Sequence, residues 1–205
     1  MLFSAILVAA SEALRAISEV VGASAAERAS IDSWISRGRL GLEECWEPEL
    51  GLSLDYDVRA KAPLRVRTIA GFAPLVAGDV NPERLEALLK TLDSPHFLGN
   101  EELLWPLTPS TSPAERGFHP RSYWRGPVWP VADWLLWWSL VRAGELDRAE
   151  GIRRTGLKRL ASDGFAEYFE PFTDEPLGSP DQSWSAAVVL DWLLANPARV
   201  EADAA

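Results

Sequence analysis

Two short segments of this 205-residue sequence concentrate its chemistry. Tyr123-Trp124-Arg125-Gly126-Pro127-Val128-Trp129-Pro130 packs aromatic rings, one fixed cation and two prolines into consecutive positions. Further along, Gly164-Phe165-Ala166-Glu167-Tyr168-Phe169-Glu170-Pro171 offers a carboxylate flanked by aromatics, between a glycine turn and a proline stop. Sugar rings lay their apolar C–H faces on aromatic planes, and their hydroxyls need charged hydrogen-bond partners. Aromatic platforms, an Arg and a pocketed carboxylate are therefore what a sugar-cleaving site needs. That chemistry also calls for a second carboxylate, and the sequence offers no obvious one.

The elements that must position these residues are helices. Leu7, Ala10, Leu14, Ile17 and Val21 recur at three and four, which predicts a helix over 2–21 ending near Gly22. A second helix is predicted over 25–46, capped by Ser24 and stopped before Pro48, with Gly38 and Gly41 weakening its second half. Residues 50–58 alternate and read as an extended piece. A short helix is expected over 66–76. Another runs over 81–92, where Asn81-Pro82 supplies a cap and a proline in the first turn. Residues 93–127 hold six prolines and form a long irregular segment, whose aromatics Trp105, Phe118, Tyr123 and Trp124 argue against disorder. Helices follow over 129–143, 146–161 and 183–194, the last capped by Ser183 or Asp181 and closed by Asn196-Pro197. The tail after that is polar. No fixed-length repeat or phosphate-binding glycine loop is present.

Composition narrows the class. Ten tryptophans are present, seven of them at or after Trp124, which suggests a core beside a polar pocket. The formal net charge of −10 and the lack of a basic stripe argue against nucleic-acid and anionic-membrane partners. Cys45 is alone, which excludes an internal disulfide and a cysteine zinc site and fits a cytoplasmic address. His96 and His119 are too far apart for a metal motif and read as loop residues making local hydrogen bonds. The apolar start lacks the positive region of a signal peptide, and it resembles a chain beginning inside a fold.

Three motifs in order carry a family resemblance. The Tyr123–Pro130 and Gly164–Pro171 segments and Gln182-Ser183-Trp184-Ser185-Ala186-Ala187 resemble the C-terminal half of glycoside hydrolase family 63. The most similar branch is the bacterial mannosylglycerate and glucosylglycerate hydrolases. Arg67-Thr68-Ile69-Ala70-Gly71-Phe72-Ala73-Pro74-Leu75 and the loop from Pro106 to Pro120 resemble the same branch. The resemblance implies an all-α fold, a partial (α/α)6 barrel of about half to two-thirds of the toroid, over residues 1–196. It implies inverting hydrolysis of a small α-glycoside, with Glu167 as general base and its aromatic neighbours limiting solvent. It places Tyr123, Trp124, Arg125, Gly126, Trp129, Gln182 and Trp184 at the substrate. The family's general acid is an Asp upstream of this chain's span. Asp133 stands where Asn is expected, a change that alters packing or pocket charge. No metal or organic cofactor is implied.

Simpler roles stand beside these. Tyr123 can anchor its loop, and one of Trp124 and Trp129 can be core. Arg125 fits a substrate carboxylate as well as it fits a salt bridge to Glu167 or Glu170. Gln182 can be only a helix-start residue. Trp134, Trp137 and Trp138 read as packing, and Glu170 and Asp174 as the outside of the loop. Asp55 and Asp57, the tempting second carboxylates, read as surface or cap residues. Three functions remain open: half of an α-glycosidase, completed by an N-terminal half-barrel chain or prone to self-association; a non-catalytic sugar- or protein-binding helical domain; and an enzyme pairing Glu167 with Asp55 or Asp57.

Overall fold

The computed structural model describes residues 1–78 and 80–195. The expected stop at Asn196-Pro197 and the polar tail lie outside the described residues.

Helix α1 (Leu2–Val20) turns at Gly22 into α2 (Ala25–Glu44). Ser24 accepts from the Glu27 N–H while the Glu27 carboxylate accepts from the Ser24 N–H, a reciprocal cap that starts α2. Gly38 does not weaken this helix. A Cβ there would come within 2.4 Å of Val8, so glycine is what lets α1 and α2 touch.

The extended piece expected over 50–58 is two small hairpins. In the first, β1 (Trp46–Glu47) pairs with β2 (Leu52–Ser53); in the second, β3 (Tyr56–Asp57) pairs with β4 (Ala62–Pro63). Gly51 and Lys61, both left-handed, sit in the two hairpin turns, so the piece that alternation alone reads as one strand pairs back through β2 and forward through β3.

The helix expected over 66–76 starts later, as a 3-10 turn (Ile69–Phe72) leading into α3 (Ala73–Ala77). Residues 67 and 68 stay out of the helix because the backbone here is used elsewhere. Arg67 O accepts from Ser112 N, Ile69 N donates to Ser110 O, and Thr68 bridges Thr111. Helix α4 (Pro82–Leu92) begins as expected, with the Asn81 side chain accepting from the Arg84 N–H.

After the long loop come α5 (Pro130–Arg142) and α6 (Leu146–Asp163). A hairpin of β5 (Tyr168–Phe169) and β6 (Pro176–Leu177) precedes α7 (Ser183–Leu194). Neither Ser183 nor Asp181 caps α7. Gln182 holds that position without a side-chain bond, and its backbone N–H goes to Phe165 O.

The main core gathers Leu52, Phe72, Leu88, Phe97, Trp129, Leu140, Ile152 and Trp192. Phe72 and Phe97 meet edge to face at 5.0 Å. Gly156 allows Trp192 to seat on α6, since a Cβ there would lie 2.4 Å from the indole. A smaller separate core joins Ala5, Val8 and Leu42 to Ala73, Val76 and Ala77.

Candidate active site

The two segments of interest are joined through the backbone. Val128 and Phe169 exchange N–H···O bonds of 2.9 Å in both directions, which sets Trp129 beside Tyr168. The result is a three-ring stack. Trp129 lies parallel to Trp124 at 3.9 Å and 4° and faces Tyr168 at 4.5 Å and 23°. Tyr123 sits edge-on to all three rings, and Trp184 approaches Trp129 at 6.3 Å. Trp129, the middle ring, is fully buried, whereas Trp124 is 42% exposed. One of the two indoles is thus core and the other offers a face to solvent.

The turn that carries the stack is held tightly. Tyr123 adopts a left-handed backbone, and its carbonyl accepts from the Trp129 indole N–H at 3.2 Å. Thr111 Oγ1 donates to Trp124 O at 3.1 Å, and Gly126 N donates to Ser110 Oγ at 3.0 Å. A Cβ on Gly126 would come within 2.5 Å of His119 O, so this glycine is required by close approach.

Glu167 is half-buried at the start of the β5 hairpin. Its N–H donates to Ser179 O at 2.8 Å, and its Oε2 accepts from Ser179 N at 3.1 Å. Gly178 leaves the room for this, since a Cβ would lie 2.5 Å from Oε2 and 2.7 Å from the Tyr168 ring. Among the described residues no donor reaches Oε1. One oxygen is therefore fixed and the other can accept a proton. The start of α7 is tied to the same strand by Gln182 N to Phe165 O (2.7 Å) and Ser185 Oγ to Ala166 O (2.8 Å). This holds the start of α7, with Gln182, against the residues just before Glu167, while Trp184 faces Trp129.

Arg125 departs from one expectation. It braces its loop by donating from Nε to Gly117 O at 3.1 Å, and it pairs with neither Glu167 nor Glu170.

Glu170 and Asp174 do not line the outside of the loop. Glu170 is buried and accepts from Phe172 N, Thr173 N and Thr173 Oγ1, a carboxylate folded into its own turn. Asp174 accepts from Arg159 Nε at 2.6 Å and from the Trp105 indole at 3.0 Å.

Arg159 escapes a reading for chemistry, but it stands in the inward stripe Ala149, Ile152, Gly156, Leu160, and a cation there signals a buried partner. Asp133 is fully buried. Its Oδ1 accepts from Thr108 N at 3.0 Å, while Oδ2 lacks a hydrogen-bond partner. Burial raises its carboxyl to about 7, against the opposing pull of Thr108 and Arg159.

Asp55 and Asp57 are engaged elsewhere. Asp55 pairs with the Met1 ammonium at 2.5 Å, and Asp57 accepts from Arg59 N and Ala60 N in its turn, which holds its carboxyl below its ordinary value. His119 Nδ1 accepts from Arg121 N, a local contact as expected, whereas His96 Nδ1 lies 3.1 Å from Ser112 Oγ in a distant part of the long loop. Trp137 is buried, the Trp134 indole donates to Asp191 and Trp138 lies under Arg142, so these three pack helices. Among the described residues no group of side chains could hold a metal ion, and no helix is long and apolar enough to cross a membrane.

Residues 1–185 match the family model of the mannosylglycerate hydrolase MGH1-like glycoside hydrolase domain. The chain is 47% identical to the glucosylglycerate hydrolase of Mycolicibacterium hassiacum over 93% of its own length and 43% of that protein's. Its fold matches the family 63 mannosylglycerate hydrolase of Thermus thermophilus solved with glucose. That match has a TM-score of 0.86 and 33% identity, covering 94% of this chain and 47% of that one. The same enzyme solved with Tris and D-glycerate matches at a TM-score of 0.85 and 33% identity, covering 94% and 45%. The chain thus spans less than half the length of these relatives. Over that span the sequence and the fold agree, and the chain belongs to the MGH1-like mannosylglycerate hydrolase family of glycoside hydrolases.

Proposed function

We propose that this chain is the base-bearing part of an inverting α-glycosidase acting on a small glycoside, glucosylglycerate or mannosylglycerate. Glu167 is the general base. Its fixed Oε2 holds the carboxylate in place while Oε1 takes a proton from the attacking water. Trp124, Tyr123 and Trp184 offer ring faces and edges to the sugar, above the buried Trp129. Arg125 and Gln182 complete the substrate contacts, with the Arg125 fork available to the glycerate carboxylate, while Gly126, buried with its N–H on Ser110, holds the turn that presents them. The Asp that protonates the leaving oxygen comes from the portion of the relatives that this chain does not span. In an inverting site the two carboxyls stand roughly 6.5–9.5 Å apart to admit water. Residues 1–196 then form about half to two-thirds of an (α/α)6 toroid, and the partner is an N-terminal half-barrel.

The observation that carries this reading is the placement of Glu167 beside the Trp124–Trp129–Tyr168 stack, with one carboxylate oxygen tied and the other open. The bound glucose and D-glycerate of the Thermus enzyme support the choice of substrate. The test is to co-express this chain with the N-terminal half of the Mycolicibacterium hydrolase and to assay both glycosides. The pair should release the sugar, first as the inverted anomer by proton NMR, and Glu167→Gln should lower the rate roughly 10²–10⁴-fold. An inert pair that still binds glucose in a tryptophan fluorescence titration would favour a second reading, a non-catalytic sugar-binding domain. The half-exposed rings of Tyr123, Trp124, Phe165 and Trp184 favour that reading.

A further inference from the structure

Beneath the aromatic stack lies a buried ionic cluster that the proposed chemistry does not use. Asp133 and Arg159 are 1% and 2% exposed, on α5 and α6. They line one small apolar cavity with Leu107, Val128, Phe169 and Trp192. From there, two chains of hydrogen bonds run upward.

On one side, Asp133 Oδ1 accepts from Thr108 N. The segment after Thr108 continues through Pro109, bridged to Val128, and Ser110, whose N–H donates to Pro127 O. It ends at Thr111, whose hydroxyl donates to Trp124 O. Asp133 N also donates to Trp129 O one turn back.

On the other side, the Arg159 guanidinium lies over the Phe169 ring, and its Nε donates to Asp174. Phe169 neighbours Tyr168 and exchanges both backbone bonds with Val128. Asp174 in turn fixes Trp105. The loop that carries Trp124 and the hairpin that carries Glu167 therefore rest on the same two buried side chains.

We propose that Asp133 and the Arg159–Asp174 pair are positioning residues, a shared floor that sets the spacing between the Trp124–Trp129 stack and the Glu167 strand. The carboxyl of Asp133 is the adjustable part. Its Oδ2 is buried without a hydrogen bond, and among the described residues the charged groups facing this region are Arg159 from α6, with Asp174 and Glu170 beyond it in the hairpin loop. The Thr108 hydroxyl lies against the same carboxyl. Ionising Asp133 places a charge 3.0 Å from the Thr108 N–H and draws Arg159 toward it. Both movements reach the stack, one through Thr108–Thr111 and one through Phe169. Burial, which raises this carboxyl to about 7, puts the adjustment near neutral pH.

The test needs no hydrolytic activity, so it stands or falls separately from the proposed function. The indole N–H resonance of Trp129 lies in the ring current of Trp124, and it can be assigned in nitrogen-15-labelled full chain with Trp124→Phe and Trp129→Phe. In the wild-type chain this resonance should move with pH around a midpoint near 7. In Asp133→Asn it should stay at the low-pH position throughout. Arg159→Met should shift it at every pH, and Arg159→Lys, which keeps the cation, should restore it at least in part. An identical pH profile in wild type and Asp133→Asn would overturn the proposal. So would an Arg159→Met chain that is less stable but shows an unmoved resonance, since that is a purely structural role. Should Arg159→Met fail to fold, the Asp133→Asn profile alone decides.

Discussion

At the scale of single residues, Asp133 makes stability depend on pH. Its carboxyl titrates near 3.8 when unfolded and about 7 when folded, because burial disfavours the charge. The folded state holds the proton more tightly. Stability from this group is therefore complete below about pH 4 and is lost as pH rises through about 7, by on the order of 4 kcal/mol. Thermal midpoints measured from pH 5 to 8 should fall more for the wild type than for Asp133→Asn, whose amide does not titrate; parallel curves would remove the assignment. The two stacked indoles should also separate by role. Trp124→Ala strips an exposed ring and should weaken glucose binding up to roughly 10-fold with little change in stability. Trp129→Ala empties the buried middle of the stack and should cost roughly 3–5 kcal/mol in urea unfolding.

At the scale of elements, two glycines decide how closely helices and loops meet. Gly156→Ala drives a methyl into Trp192, 2.4 Å away, and should destabilise the α6–α7 contact by about 1–3 kcal/mol in urea denaturation. Gly41→Ala on α2 meets nothing within 4 Å and serves as the control. The helices were largely legible because caps and periodicity are local signals: Ser24-x-x-Glu27 and Asn81-Pro82 mark true starts. The hairpins at 46–63 were not, because alternation does not show where a chain turns back on itself, and neither was the extended stretch at 67–68, because the backbone bonds there and at Ile69 go to partners as distant in sequence as Ser110 and Ser112. The candidate site divides in the same way. The aromatic residues and Glu167 show themselves by motif, but Arg159, Asp174 and Glu170 become buried only once the β5–β6 hairpin folds over α6. An acid next to a proline turn looks superficial in sequence, and here it is folded inward onto its own N–H groups.

At the scale of the whole molecule, the apolar surface is unevenly covered. Phe3, Leu7, Leu14, Ile17 and Val20 on α1 and Leu190, Leu193 and Leu194 on α7 are exposed, Phe3 and Val20 to 88%. Exposed apolar faces of this kind drive association. The isolated chain should show concentration-dependent sedimentation, reduced by Leu7→Glu with Leu14→Glu and also by a co-expressed half-barrel. Equal sedimentation with and without the two glutamates would show that α1 is not the sticky face. The division into two cores has a further consequence. The α1–α2 hairpin rests on α3 through alanines and valines, which bury little area per residue, and Glu12 clasps it by accepting from both Arg39 and Arg142. Trp138 packs against both cores, but among the described residues none of the fully buried tryptophans belongs to that seam. The hairpin can therefore swing open while the rest stays shut, so the protein should breathe at two rates. Amide protons of α1 and α2 should exchange with deuterium through a low-energy local opening, and those of α5 only when the whole chain unfolds.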